Sequence, residues 1–153
     1  MGLIKGVSLR AIQSIQGGMS EFYTPQSSDE TMIVRVPAKS EDDLFFHRNQ
    51  TDQLLVVKGS FVLIVLHNKK YQYIPLSEKV PQVAIIPPGV LHGAINFGEE
   101  DCLLVNAVLR HGAAQARDYQ PVVRPIPYDF EQARLSLQKL ETPSLKLVAG
   151  AGI

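Results

Sequence analysis

The sequence predicts a single all-β domain, and three observations support this class. Short apolar runs rich in β-branched residues recur about every eight to twelve residues, a spacing typical of sandwiches and barrels. Turn-forming sequences with Gly, Pro or Asn separate these runs. The length of 153 residues suits one domain.

The predicted strands lie, in chain order, at 32–36, 54–57, 61–67, 71–74, 82–86, 92–96 and 101–108. Pro37 ends the first strand, because proline cannot donate to a sheet. The sequence H-N-K-K-Y between the third and fourth strands is typical of a hairpin turn. Asp129 is a candidate N-cap for a helix that ends near Leu140. We therefore expect a barrel over residues 1–128 and a C-terminal helix and tail over 129–153 within the same domain.

Composition excludes several classes of partner. Fifteen basic and fifteen acidic residues give a formal net charge of zero, which argues against nucleic-acid and membrane-surface binding. No apolar segment approaches the roughly 20 residues of a membrane span. The first residues lack the apolar core of a signal peptide, so we expect a cytoplasmic protein. The single cysteine, Cys102, lies in an apolar run and is expected to be a buried, inert thiol.

The segment P-P-G-V-L-H-G-A-I-N, residues 87–96, is the most informative in the chain. Its Pro and Gly residues predict a turn that leads into a strand. Along that strand His92, Ala94 and Asn96 share one face. An imidazole held on a rigid strand in this way is a candidate for an enclosed polar site.

A second polar segment lies upstream, F-H-R-N-Q-T-D-Q followed by L-L-V-V-K-G, residues 46–59. It contains His47, followed by polar residues that lead into an apolar strand ending at Gly59. Either Asp52 or Gln53 faces the interior, since a shift of one residue turns a side chain to the other face of a sheet.

Together these two segments resemble the paired motifs of the cupins. Within that superfamily the chain is similar to the dTDP-4-dehydrorhamnose 3,5-epimerases and related deoxysugar ketoisomerases. Residues 17–22 (G-G-M-S-E-F), 47–59 and 86–93 (I-P-P-G-V-L-H-G) carry the resemblance. It implies a single-domain jelly-roll cupin barrel with a C-terminal helical tail.

The resemblance also implies a function. Members of the group bind a nucleotide-linked 4-keto sugar in the barrel, where a His acts as base and a Tyr protonates the opposite face. Carried onto this chain, the catalytic residues are His47, Asp52 and His92. His47 is the base, and Asp52 tunes its pKa if it faces inward. The substrate-binding residues are Arg35, Asn49, Gln53, Asn106 and His111.

Some of these positions depart from the family pattern. Asp52 stands where the epimerases have a Lys, and Asn106 and His111 stand where they have Tyr residues. His111 is then a substitute for the tyrosine acid. Arg35 alternates with Val34 and Val36, so it either binds a phosphate from inside the barrel or faces solvent.

We expect neither a metal nor another cofactor. Asn49 replaces the second His of cupin metal sites, and amide oxygen is a weak ligand for Zn, Fe or Ni. The leading hypothesis is thus a metal-free epimerase or isomerase of a dTDP-type sugar, working as a homodimer that pairs through sheet edges. Two alternatives stay open. One is a non-catalytic small-molecule-binding cupin, and the other is a metal-dependent oxygenase or isomerase using His47, Asp52 and His92.

Overall fold

The structure is a computed structural model and describes residues 6–142. Antiparallel strands dominate it, followed by a short 3-10 helix at Ala116–Tyr119 and one α-helix, α1, at Phe130–Glu141. The strands are β1 Ser8–Ala11, β2 Ser14–Gly17, β3 Ser20–Tyr23, β4 Glu30–Val36, β5 Ser40–Glu41, β6 Gln50–Lys58, β7 Ser60–His67, β8 Lys70–Ser77, β9 Gln82–Ile86, β10 Leu91–Asn96 and β11 Cys102–Arg110. The predicted all-β class with a C-terminal helix is confirmed. The predicted tail over 143–153 lies outside the described residues.

Two sheets face each other. One has five strands in the order β1-β9-β6-β11-β4, and the other has four in the order β5-β10-β7-β8. β4 and β5, which follow one another in the chain, are edge strands of the two sheets. β2 and β3 form a separate two-stranded hairpin. The chain therefore builds a jelly-roll sandwich with an interior between the sheets.

The apolar run in β7 shows how the core is divided. Phe61, Leu63 and Val65 point between the two sheets, into a cluster that also holds Leu104. The alternate residues of β7 point to the other face, where they pack with Leu44, Ile95, Tyr128 and Ala133. The run is continuous because β7 is buried on both faces: the opposing sheet covers one, and α1 with its preceding loop covers the other.

Helix α1 begins where the sequence predicts. The Asp129 side chain accepts a hydrogen bond from the backbone N–H of Gln132 at 3.0 Å, which satisfies one free donor of the first turn. Ala133 is fully buried and Leu137 packs beside it, one helical turn along. In the described residues no helix is long and apolar enough to cross a membrane.

The turns also follow their sequences. Asn68 and Lys69, between β7 and β8, both have positive φ angles of 51° and 62°, as a two-residue hairpin turn requires. Gly89, in the Pro-Pro-Gly segment, has a φ of 81°. The predicted strand at 54–57 is too short, since β6 already begins at Gln50. Gln50 and Asp52, near its start, are polar and still point inward, so the apolar pattern could not reveal this part of the strand. Strands β1 to β3 and the short strand β5 were not predicted.

Gly93 on β10 is required by close packing rather than by its backbone angles. A Cβ atom there would lie 2.8 Å from the backbone oxygen of Asp43 and 2.9 Å from the Tyr128 hydroxyl. We predict that Gly93→Ala destabilises the protein by about 1–3 kcal/mol, because the backbone must shift to admit the methyl group. Urea unfolding measures the effect. Gly6→Ala is the matched control, since a Cβ there meets nothing within 4 Å. Equal stabilities of the two variants would contradict the prediction.

Candidate active site

A cavity of about 320 Å³ lies between the two sheets. One end is polar and the walls are mostly apolar. The side chains of Met32 and Val34 on edge strand β4 line it and are partly exposed, which places its opening beside this edge. The polar lining residues are Arg35, Asp42, His47, Gln50, Asp52, His92, Asn106 and Tyr119.

Strand β6 supplies the carboxylate of the polar end. Gln50 and Asp52 alternate inward with Leu54, and all three line the cavity. Gln53 points to the opposite face of the sheet, where its amide donates to the carbonyls of Ser27 and Ala107 at 2.8 and 2.9 Å. The structure thus answers the open question of register: Asp52 faces the cavity. Gln53, predicted to bind substrate, does not line it, because strand alternation turns it away.

Asp52 is almost completely buried and is held through one oxygen. Its Oδ1 accepts hydrogen bonds from Gln50 Nε2 at 2.6 Å and from Asn106 Nδ2 at 3.0 Å. Its Oδ2 lies 3.5 Å from His47 Nε2 and 3.6 Å from His92 Nε2. We call His47, Asp52 and His92 the His-Asp-His cluster. Its carboxylate is fixed on one side and meets two imidazoles on the other.

The two sequence motifs are hydrogen-bonded to each other, which brings the imidazoles together. The backbone N–H of Gly89 donates to the carbonyl of His47 at 2.8 Å. Phe45 and His92 exchange backbone hydrogen bonds of 2.7 and 3.0 Å. The ring centroids of His47 and His92 are consequently 5.1 Å apart.

The hydrogen bonds of His92 define its protonation. Its Nδ1 lies 2.9 Å from the carbonyl oxygen of Val90. Because a carbonyl oxygen only accepts, Nδ1 carries a hydrogen. Burial lowers the pKa of His92, and this outweighs the opposing attraction of Asp52. His92 is therefore a neutral imidazole with the lone pair of Nε2 beside Asp52. The buried Nδ1 of His47 has no hydrogen-bond partner among residues 6–142.

A second layer of contacts supports Gln50. Arg110 Nη1 donates to Gln50 Oε1 at 2.6 Å, and Arg110 Nη2 pairs with Glu30 at 2.9 Å. The Gln50 amide is thereby oriented with its nitrogen toward Asp52. This chain of contacts connects the surface of edge strand β4 with the buried carboxylate.

Sequence reasoning missed Gln50, at the start of β6, and two polar residues outside the strands that also line the cavity. Tyr119 ends the 3-10 helix, with its ring centroid 5.9 Å from that of His47 and its hydroxyl 3.5 Å from Arg110 Nη2. Asp42 follows edge strand β5. Neither belongs to a motif, and no strand periodicity surrounds them. Only the contact of the loops with the barrel shows that they line the cavity.

The remaining predicted binding residues lie away from the polar end. Arg35 lines the cavity opening, but its side chain is 66% exposed and pairs with Asp101 at 3.8 Å. Asn49 does not line the cavity, and its amide donates to the carbonyl of Ala113. The imidazole of His111 lies outside as well, 2.8 Å from the Thr51 hydroxyl. Of the two alternatives for Arg35, the structure shows the solvent-facing one, because Val34 and Val36 take the inward positions.

The same cluster has atoms placed for a metal ion. One ligand atom each from His47, Asp52 and His92 lies within 4.8 Å of the others. Two imidazoles and a carboxylate form a ligand set used for iron(II). The contact of His92 Nδ1 with Val90 fits a metal-bound imidazole. His47 Nδ1 has no such partner within residues 6–142. The ligand set fits a divalent transition metal in part.

The lowered pKa of His92 makes stability depend on pH. The unfolded chain takes up this proton near pH 6.5, before the folded protein does, so the folded state loses stability as pH falls below that value. We predict a falling melting temperature from about pH 7.5 to about pH 5.5, with one proton contributing at most about 1.4 kcal/mol per pH unit. His92→Gln should show a shallower decline, and exposed His67→Gln should follow the wild type. An unchanged slope in His92→Gln would contradict the assignment of a neutral, buried imidazole.

No family model matches this sequence, and no curated protein matches it. Several solved structures are similar to this protein. A dTDP sugar isomerase from Desulfovibrio desulfuricans G20 matches with a TM-score of 0.62 at 18% identity, over 87% of this chain and 96% of that one. The WlaRB TDP-quinovose 3,4-ketoisomerase from Campylobacter jejuni has a TM-score of 0.61 at 18% identity, over 86% and 99% of the two chains. The 3'-monoepimerase ChmJ from Streptomyces bikiniensis has a TM-score of 0.62 at 11% identity, over 88% and 89%. The chain thus has the cupin barrel fold of these dTDP-sugar isomerases and epimerases, as its two motifs predict.

Proposed function

We propose that this protein isomerises or epimerises a nucleotide-linked 4-keto deoxysugar by moving a proton at a carbon next to the ketone. The observation that carries the proposal is the His-Asp-His cluster, buried at the polar end of a cavity open to solvent. Proteins with the same fold are named as enzymes that act on TDP-linked sugars, and one, from Thermoanaerobacterium thermosaccharolyticum, is described in complex with TDP. The shared fold supports this substrate class.

The neutral state of His92 suits a base. Its Nε2 lone pair accepts a proton from the carbon, and the electrons of the broken C–H bond move into the ketone to form an enolate. Asp52 Oδ2, 3.6 Å away, stabilises the imidazolium that results. His47 Nε2 meets the same oxygen at 3.5 Å, so this imidazole is a second site for the proton. We extend the predicted role of His47 as base to both imidazoles.

Tyr119 is positioned to return a proton. Its ring lines the cavity beside His47, and Arg110 lies near its hydroxyl. The guanidinium charge stabilises the phenolate that remains after the proton is donated. Tyr119 thus takes the role of acid that the sequence assigned to His111.

The cavity volume limits what is enclosed. Ligand pockets of about 300 Å³ are at the small end of the range for small molecules. A cavity of about 320 Å³ holds one sugar ring, and an attached nucleotide would extend through the opening beside β4.

The spacing of the ligand atoms favours a metal-dependent isomerase as a second candidate. In that case the same three side chains would hold a divalent ion, which would supply Lewis acidity toward the substrate ketone. The two candidates differ in what a chelator does to the reaction.

The first test follows solvent exchange. We expect the protein in D2O to introduce deuterium next to the ketone of TDP-4-keto-6-deoxyglucose, detected by proton NMR. His47→Asn and His92→Asn should each lower the rate by about 100-fold or more, because general base catalysis contributes about 10²–10⁴-fold. Tyr119→Phe should retain exchange but lose the isomerised product.

His67→Asn is the control, since this exposed imidazole lies on the hairpin between β7 and β8. Exchange that stops with EDTA and returns with iron(II) would move the assignment to the metal-dependent isomerase. Absence of exchange, with TDP still bound, would indicate a non-catalytic binding protein.

The β2–β3 hairpin supports the predicted homodimer. Every residue of both strands is exposed, and Ile15 and Phe22 face each other across the pair, 74% and 61% exposed. An isolated two-stranded hairpin is only marginally stable in water. A second copy of the chain is the partner we propose for this apolar pair.

Light scattering after gel filtration tests the dimer. We expect twice the mass of the chain for the wild type and a shift to monomer for the double variant Ile15→Ser, Phe22→Ser, since the apolar contact is lost. Val123→Ser, at a loop residue that is 78% exposed, is the control. A monomeric wild type would refute the prediction.

A further inference from the structure

We propose that Asp42 orients the bound molecule, its carboxylate accepting hydrogen bonds from hydroxyl groups of a sugar ring held against the His-Asp-His cluster. The inference deepens the proposed function and rests on it for the identity of the ring.

The register of β5 turns Asp42 into the cavity. Glu41 pairs with Ile95 and Ser40 with Asn96, so the next residue, Asp42, lies opposite Ala94. Its backbone N–H donates to the carbonyl of Ala94 at 2.9 Å. Residues directly opposite on paired strands share a face. Ala94 packs against the apolar core between the two sheets. Ala94 and Asp42 both line the cavity.

The residues on either side of Asp42 in the chain form ion pairs and point to the opposite face of the strand. Glu41 lies 3.8 Å and Asp43 2.6 Å from Arg124. The Asp42 carboxylate makes no hydrogen bond and no ion pair within residues 6–142. Without a protein donor this half-buried carboxylate is hydrated by water in the cavity, and hydroxyl groups of a ligand that displaces the water would become its donors. Burial raises the pKa of Asp42, Asp43 raises it further and Arg124 opposes both, which agrees with a carboxylate that lacks protein donors.

The spacing of Asp42 from the His-Asp-His cluster suits one ring. Ala94, its partner, is two residues from His92 along β10, a separation of about 7 Å. A six-membered sugar ring spans a similar length between substituents on opposite sides. A 4-keto sugar whose C5, next to the ketone, lies against His92 would therefore present the hydroxyl on C2, across the ring, to Asp42.

Calorimetric titration of three proteins with TDP and TDP-quinovose tests this role. Asp42→Asn keeps the shape of the side chain and removes its charge. We expect it to weaken binding of TDP-quinovose by about 10- to 100-fold and to change binding of TDP less than about twofold. Asp42→Ala should lose at least as much. Glu41→Gln, one residue away on the opposite face, should bind both compounds as the wild type does.

Each outcome decides the proposal. Equal losses for TDP and TDP-quinovose in Asp42→Asn, or no loss for either, would overturn it. If the wild type binds neither compound, the nucleotide-sugar function fails, and titration with methyl hexosides by ligand-observed NMR then decides on Asp42. Wild-type binding of a hexoside that is lost in Asp42→Asn and kept in Glu41→Gln would support the inference. The inference would be overturned if the wild type bound no methyl hexoside. It would also be overturned if the wild type bound a methyl glycoside with an amino group more tightly than the same glycoside with a hydroxyl group.

Discussion

The site depends on one buried carboxylate. Asp52 is 3% exposed, and an ionised carboxylate in such a place is unstable unless donors replace the water it has lost. Two side-chain amides, from Gln50 and Asn106, do so at Oδ1, which leaves Oδ2 to the imidazoles. In the proposed mechanism this division lets the same group be held by the scaffold and take part in proton transfer. Arg110 fixes the direction of the Gln50 amide and so belongs to the same constraint.

The sandwich supplies the geometry that this constraint needs. Asp52 lies on β6 in the five-stranded sheet, and His92 lies on β10 in the four-stranded sheet. Packed side chains such as Phe61 and Leu104 fill the space between the sheets and set their separation. A site built across two sheets is therefore as rigid as the core itself. The opening beside edge strands β4 and β5 exists because the sheets are not joined there, and Asp42 lies at that edge.

The sequence predicted the parts of the fold that follow from local pattern. The Pro-Pro-Gly turn, the hairpin at Asn68 and Lys69, the helix cap at Asp129 and most apolar strands appear where their chemistry places them. His92 was found because it follows a turn motif, and His47 was found because its segment resembles the first of the paired cupin motifs. The choice between Asp52 and Gln53 could not be made, since a register is a property of paired strands and one strand does not contain it.

The loop residues that line the cavity could not be predicted from the sequence for a related reason. Tyr119 and Asp42 line the cavity because of the path that their segments take across the barrel. The hydrophobic periodicity of the sequence does not indicate such a path. Conversely, Asn49 and His111 lie close to β6 and β11 but make contacts outside the cavity. Proximity to a motif in sequence did not ensure that a side chain faces the site.

The proposed proton transfer requires that Asp52 faces a neutral His92 whose Nε2 carries no hydrogen. Nitrogen-15 NMR of the histidine side chains tests it most directly, because protonated and unprotonated ring nitrogens have different shifts. With His92 assigned by comparison with His92→Gln, the structure predicts a hydrogen on Nδ1 and none on Nε2 near pH 7. A doubly protonated ring, or a hydrogen on Nε2 alone, would contradict it.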